Sequence, residues 1–191
     1  LVNYNPDLGD IVPGLATDWQ ISEDGLSYTF NLRQNVLFHQ SQRFKPQRVF
    51  NADDVLFSFN RIIDSQHPYH SVSRTGYPFF QSISFEQLIS SIEKVNDYQV
   101  IFHLNREDAS FLSNLATDFA VILSAEYADK LLKDGAPEQI DLQPIGTGPF
   151  QLTQYIKNEY IRYIRHPNYW GTTPEIEHLV FDITPKSTAR I

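Results

Sequence analysis

Cysteine and methionine are both absent from the 191 residues. Without cysteine there is no disulfide frame, no thiolate nucleophile and no cysteine-ligated zinc. Long hydrophobic runs are missing too. No stretch approaches the ~20 apolar residues that cross a bilayer, and no charged start leads into the apolar run of a secretory leader. Positive charge is the scarcer sign, with 15 basic against 23 acidic residues and a net charge of −8. A net anion repels phosphate backbones, which disfavours generic nucleic-acid binding. The abrupt opening at Leu1-Val2-Asn3-Tyr4 and the close at Ala189-Arg190-Ile191 read as interior points of a longer chain.

What the chain has in excess is aromatic rings: 14 Phe, 10 Tyr and 2 Trp. Rings at this density favour strands, cores and ligand-facing surfaces. Tyr28, Phe30 and Leu32 alternate with polar neighbours, the period of a half-buried strand. A second extended run over 36–38 suggests a hairpin or corner. Asn51-Ala52-Asp53-Asp54 reads as a helix start, with Asn51 as cap and two acids in the first turn. Val55, Phe59, Ile62 and Ile63 follow at helical spacing, and the helix should end near Asp64. Residues 65–84 read as a long irregular stretch carrying His67, Tyr69, His70, Tyr77, Phe79 and Phe80.

Beyond it, residues 92–95 and Gln99–Leu104 look like paired strands around Asn96-Asp97. Asp108 is expected to cap a helix burying Phe111, Leu112 and Leu115; residues 120–123 read as a short strand. Ser124 then caps a helix with Tyr127, Ala128, Leu131 and Leu132 on one face and Gly135 at its end. Three strands are predicted over 150–155, Tyr160–Arg165 and 178–183. The fold class is α+β with mixed sheets.

Each candidate for chemistry is weighed against plain structure. Asp53 and Asp54 are adjacent carboxylates, but glycoside hydrolysis needs two carboxyls facing each other across a substrate; capping explains the pair. His67 and His70 have no acidic cluster to complete a metal site, and read as surface polar groups. Ser110, Ser113 and Ser124 lack a nucleophile elbow. Gly146-Thr147-Gly148-Pro149 lacks the ending of a phosphate loop and precedes a predicted strand, not a helix. It reads instead as a tight crossing where glycine permits close approach or positive φ, suited to a hinge or the floor of a cleft. Gly146, Thr147 and Gly148 are therefore candidate ligand contacts through their backbone. Tyr77, Phe79 and Phe80, in a segment without helical or strand period, are candidate ligand-facing aromatics, with a packing role as the alternative. No metal or cofactor is expected.

Four segments together resemble the large periplasmic oligopeptide- and dipeptide-binding proteins, family 5 of the extracellular solute-binding proteins. They are Pro13-Gly14-Leu15-Ala16-Thr17-Asp18-Trp19 running on to Leu32-Arg33, Phe50-Asn51-Ala52-Asp53-Asp54-Val55, Pro144-Ile145-Gly146-Thr147-Gly148-Pro149-Phe150, and Asn168-Tyr169-Trp170-Gly171 before Ile183-Thr184-Pro185. Within the family the chain resembles the dipeptide- and haem-binding branch, and especially the binding component of the Sap (sensitivity to antimicrobial peptides) importer. The resemblance implies a periplasmic-binding-protein-like lobe of class II type with the second lobe absent. Residues 1–12 and 145–191 would belong to the central sheet, and 13–144 would form an inserted α+β subdomain.

It also implies function: a non-enzymatic receptor that captures a peptide or haem-like ligand in the periplasm. The receptor would deliver it to the permease subunits of an ABC importer and be monomeric when intact. Two rival readings are a secreted glycan-acting hydrolase and a stand-alone interaction module.

Overall fold

The computed structural model describes residues 1–183 apart from Pro6, Leu8 and Arg74. The chain divides into two compact units: Leu1–Asn35 with Phe50–Glu126, and Val36–Val49 with Tyr127–Ile191.

In the first unit, β1 (Val2–Asn5) and β2 (Asp10–Pro13) pair as a hairpin. A Cβ on Gly14 would lie 2.7 Å from the Leu1 carbonyl oxygen, so only glycine lets the chain start pass this close. Ala16 N donates to that same oxygen at 2.9 Å, tying the hairpin to β3 (Ala16–Ile21). β3, β4 (Ser27–Leu32), β5 (Ile89–Asn96) and β6 (Gln99–Leu104) form an antiparallel sheet in the order β3-β4-β6-β5. The alternation predicted for β4 holds: Tyr28, Phe30 and Leu32 are buried, as are Val100, Phe102 and Leu104 of β6.

Helix α1 (Ala52–Ile63) covers this sheet with Val55, Phe59 and Ile62, at the spacing of one helical face. Phe102 is the hub of the core, meeting Phe30 and Phe59 edge-on at 5.6 and 5.1 Å. Three short helices, α2 (Pro78–Ser82), α3 (Phe85–Leu88) and α4 (Phe111–Leu115), add Phe80, Phe85 and Phe111 to it.

α5 (Ala125–Lys133) begins in the first unit and runs into the second, where Gly135, at φ +70°, ends it. The second unit adds α6 (Gln139–Leu142) and an antiparallel sheet of β7 (Phe150–Ile156), β8 (Tyr160–Arg165) and β9 (His178–Asp182). Its core gathers Val36, Phe38, Phe44, Tyr127, Leu131, Ile140 and Ile145. No residue of β7, β8 or β9 is fully buried, and Val180 and Phe181 are 54% and 53% exposed.

Several expectations need correction. Every sheet pairing among the described residues is antiparallel, so the sheets are not mixed. Residues 36–38 form no strand; Asn35 at φ 59° turns the backbone where the chain leaves one unit for the other. Residues 120–123 form no strand either, and Leu123 N donates instead to Ser58 Oγ at 2.9 Å. Leu112 is only half buried and Leu132 is 44% exposed. Asp108 takes Ser110 N at 2.7 Å in a turn before α4, whose first flanking residue is Ser110. Thr184 and Pro185, quoted above for the resemblance, lie outside the described residues.

Candidate functional site

In the first unit the three candidate aromatics have three different surroundings. Tyr77 precedes α2, donates through its hydroxyl to Tyr69 O at 3.3 Å, and carries the Arg61 guanidinium 5.5 Å from its ring centre. Phe79 is half exposed and lies nearly parallel to Phe119, with centroids 4.6 Å apart at 18°. Phe119 is itself 59% exposed, so the pair forms an open aromatic surface. Phe80 is 3% exposed and packs on Phe85 at 4.8 Å; it belongs to the core. The stretch read as irregular holds a short helix, and a helix turns neighbouring side chains about 100° apart. Phe79 and Phe80 therefore cannot share a face.

Asp53 and Asp54 are structural. Asp53 N donates to Asn51 Oδ1 and Asn51 N to Asp54 Oδ2, both at 3.0 Å, a reciprocal cap. The Asp53 carboxylate meets Lys94 at 2.8 Å, and with Asp97 it raises the Lys94 pKa. Asp54 is fully buried and also takes Ala125 N. No facing carboxylate pair is built from them. His67 and His70 are half buried rather than surface groups: His67 Nδ1 accepts from Tyr69 N, and His70 Nδ1 donates to Arg61 O, both at 3.1 Å. Burial lowers the His67 pKa. Among the described residues no cluster of three His, Cys, Asp or Glu side chains could hold a metal.

Gly146, Thr147 and Gly148 lie in the second unit, just before β7. The following strand, in place of a helix, removes the phosphate-loop reading. Neither glycine has positive φ. A Cβ on Gly148 would meet nothing within 4 Å, and one on Gly146 would meet only His39 Cε1 at 3.9 Å. Packing within the described chain thus makes no demand for glycine at either position.

The segment is fastened by side chains that the sequence reading passed over. His39 N and Nε2 donate to Gly146 O and Gly148 O, both at 2.8 Å, and Trp170 Nε1 donates to Thr147 O at 3.1 Å. His166 stands edge-on to His39 with ring centres 5.0 Å apart. Burial pushes His39 down to about 4 and lowers His166 as well, so both rings are neutral at pH 7. Strand periodicity could not have found His39. It puts Leu37 and His39 on one side, whereas Leu37 is exposed and His39 buried.

The second unit also holds a cavity of about 830 Å³ along β7, whose charged lining residues are Arg43 and Lys45. None of Gly146, Thr147 and Gly148 lines it.

The model of the middle region of the bacterial extracellular solute-binding proteins, family 5, matches residues 10–191. The chain belongs to that family. It is 52% identical over 190 residues to the dipeptide-binding protein of Escherichia coli (strain K12), covering 100% of this chain and 36% of that one. Heme-binding protein A of Haemophilus influenzae is 50% identical over 191 residues, again 100% of this chain and 35% of the relative. The probable ABC transporter periplasmic-binding protein SapA of Escherichia coli (strain K12) is 40% identical, with coverage of 100% and 35%. The likeness to the dipeptide and haem branch is therefore stronger than that to the Sap protein. Among solved structures, the dipeptide binding protein from Pseudoalteromonas sp. SM9913 in complex with Met-Leu superposes with a TM-score of 0.95 at 45% identity. That match covers 98% of this chain and 37% of the other. The chain spans about 36% of the length of the dipeptide-binding relative.

Proposed function

We propose that this chain is part of a periplasmic receptor that captures short peptides and hands them to the permease of an ABC importer, without catalysing a reaction. The observation that carries the reading is the match, over 98–100% of this chain, to proteins named for dipeptide binding. The receptor works as a monomer by population shift: ligand binds the closed state better than the open one and draws the lobes together. In the whole receptor, residues 1–12 and 145–191 contribute to a central sheet and 13–144 to an inserted subdomain. The incompletely buried strands β7, β8 and β9 are consistent with further chain packing on them.

Two ligand-facing surfaces follow, one in each unit. In the first, Tyr77 and Phe79, backed by the core residue Phe80, offer stacking contacts that tolerate varied side chains. In the second, the backbone of Gly146, Thr147 and Gly148 offers hydrogen-bonding groups beside positions where no side chain intrudes. Haem is the second reading, favoured by the 50% identity to a haem-binding relative. Native mass spectrometry of the intact receptor as isolated from periplasm tests both. Bound masses in the dipeptide and tripeptide range support the proposal, and a bound porphyrin mass replaces peptide by haem.

A further inference from the structure

The carbonyls of Gly146, Thr147, Gly148 and Pro149 are each taken by a donor from elsewhere in the second unit. The donors are His39 N, Trp170 Nε1, His39 Nε2 and His166 N, at 2.8, 3.1, 2.8 and 2.8 Å. His39 supplies two of the four, and its Nδ1 also faces Gly146 N at 3.4 Å. A carbonyl only accepts and an amide N–H only donates. The ring is thereby assigned one form, neutral with hydrogen on Nε2 and a lone pair on Nδ1.

His166 is held in the same form. Its Nε2 donates to Leu37 O at 3.3 Å, while its buried Nδ1 has no partner. Among the described residues the N–H groups of Thr147 and Gly148 have no hydrogen-bond partner. With each carbonyl already engaged by a donor, the main-chain groups that the segment has left to offer are these two N–H groups.

We propose that His39 is a positioning residue for ligand capture: by clamping the carbonyls of Gly146 and Gly148 it aims the Thr147 and Gly148 N–H groups at an acceptor oxygen of the bound peptide, a carboxylate or main-chain carbonyl. This inference rests on the peptide-receptor reading above. A neutral imidazole suits the task because one rigid plane carries a donor and an acceptor on different edges. Glutamine can reproduce the donor to Gly148, whereas phenylalanine keeps the volume and neither polar edge.

Acid should open the clamp, because protonation puts hydrogen on Nδ1 against the Gly146 N–H. Among the described residues the one other titratable group acting on His39 is His166, and burial dominates at both rings. Among the described residues no carboxylate contributes to either.

The test uses the full-length receptor and the dipeptide Met-Leu, titrated calorimetrically into wild type, His39→Phe and His39→Gln between pH 7 and pH 3.5. At pH 7, His39→Phe should bind about tenfold more weakly, as expected for one misplaced hydrogen-bonding pair, and His39→Gln should recover part of the loss. Wild-type affinity should fall in a step near pH 4 that His39→Gln lacks. A wild-type Kd in His39→Phe, or the same acid step in His39→Gln, overturns the inference while leaving the receptor reading in place. If His39→Phe does not fold, the pH comparison with His39→Gln decides alone. Folded wild type that ignores Met-Leu and several other dipeptides at pH 7 removes the peptide-receptor reading, and this inference with it, before His39 is in question.

Discussion

Asp54, at the start of α1, reaches across to the start of α5, where its Oδ1 takes the Ala125 N–H at 2.8 Å while its Oδ2 takes Asn51 N at 3.0 Å. One buried carboxylate thus satisfies the open ends of two helices. Ser58 adds a second tie between the same segments, donating to Asp54 O and accepting from Leu123 N.

Asp54→Ala should therefore destabilise the full-length protein by about 2–4 kcal/mol, since two part-buried N–H groups lose their acceptor. Asn51→Ala, which removes one cap, should cost about 1 kcal/mol. Urea unfolding measures both. A neutral Asp54→Ala would show that the buried tie contributes nothing, and loss of a measurable hydrolysis in folded Asp53→Asn or Asp54→Asn would restore the enzymatic reading.

The aromatic segment separates packing from binding. Phe80→Ala empties a core position between Phe79 and Phe85 and should lower stability by about 3–5 kcal/mol. Phe79→Ala removes a half-exposed ring stacked on an exposed one, so melting should shift little while peptide affinity falls. Paired melting and binding measurements on each variant distinguish the two roles. Unchanged affinity in Phe79→Ala and Tyr77→Ala confines these rings to packing.

Acid stability follows from the two buried imidazoles. His39 has a folded pKa of about 4, below its usual value near 6.5, so the unfolded chain binds more protons over that interval. The neutral-histidine contribution is fully present above about pH 6.5 and is lost as the pH falls through the folded pKa. Stability of the wild type should therefore decline between about pH 6.5 and 4 more steeply than that of His39→Gln, by at most roughly 1.4 kcal/mol per pH unit for this group. Parallel slopes would mean that His39 is protonated in the folded protein at these pH values.

The sequence was most legible where local chemistry and burial agree. Asn51 and Asp54 announced α1 to the residue, and the alternation of Tyr28, Phe30 and Leu32 survived because both sheet faces differ in burial. Legibility failed where tertiary context overrides period. Val36 and Phe38 are buried without belonging to a strand, and Phe79 and Phe80 part company on a helix too short to show its spacing. The segment around Gly146 and Gly148 was legible as a candidate, although neither glycine has positive φ or a crowding neighbour to require it. The histidines fastening them were not, because His39 and Gly146 lie far apart in sequence and meet only after folding.

Calorimetric titration of Met-Leu into the purified full-length protein decides whether peptide is captured without turnover. The expected result is saturable 1:1 binding with micromolar or tighter Kd, and full recovery of intact dipeptide by chromatography afterwards. A folded receptor that releases no binding heat across several dipeptides, or that returns free methionine and leucine, would contradict it.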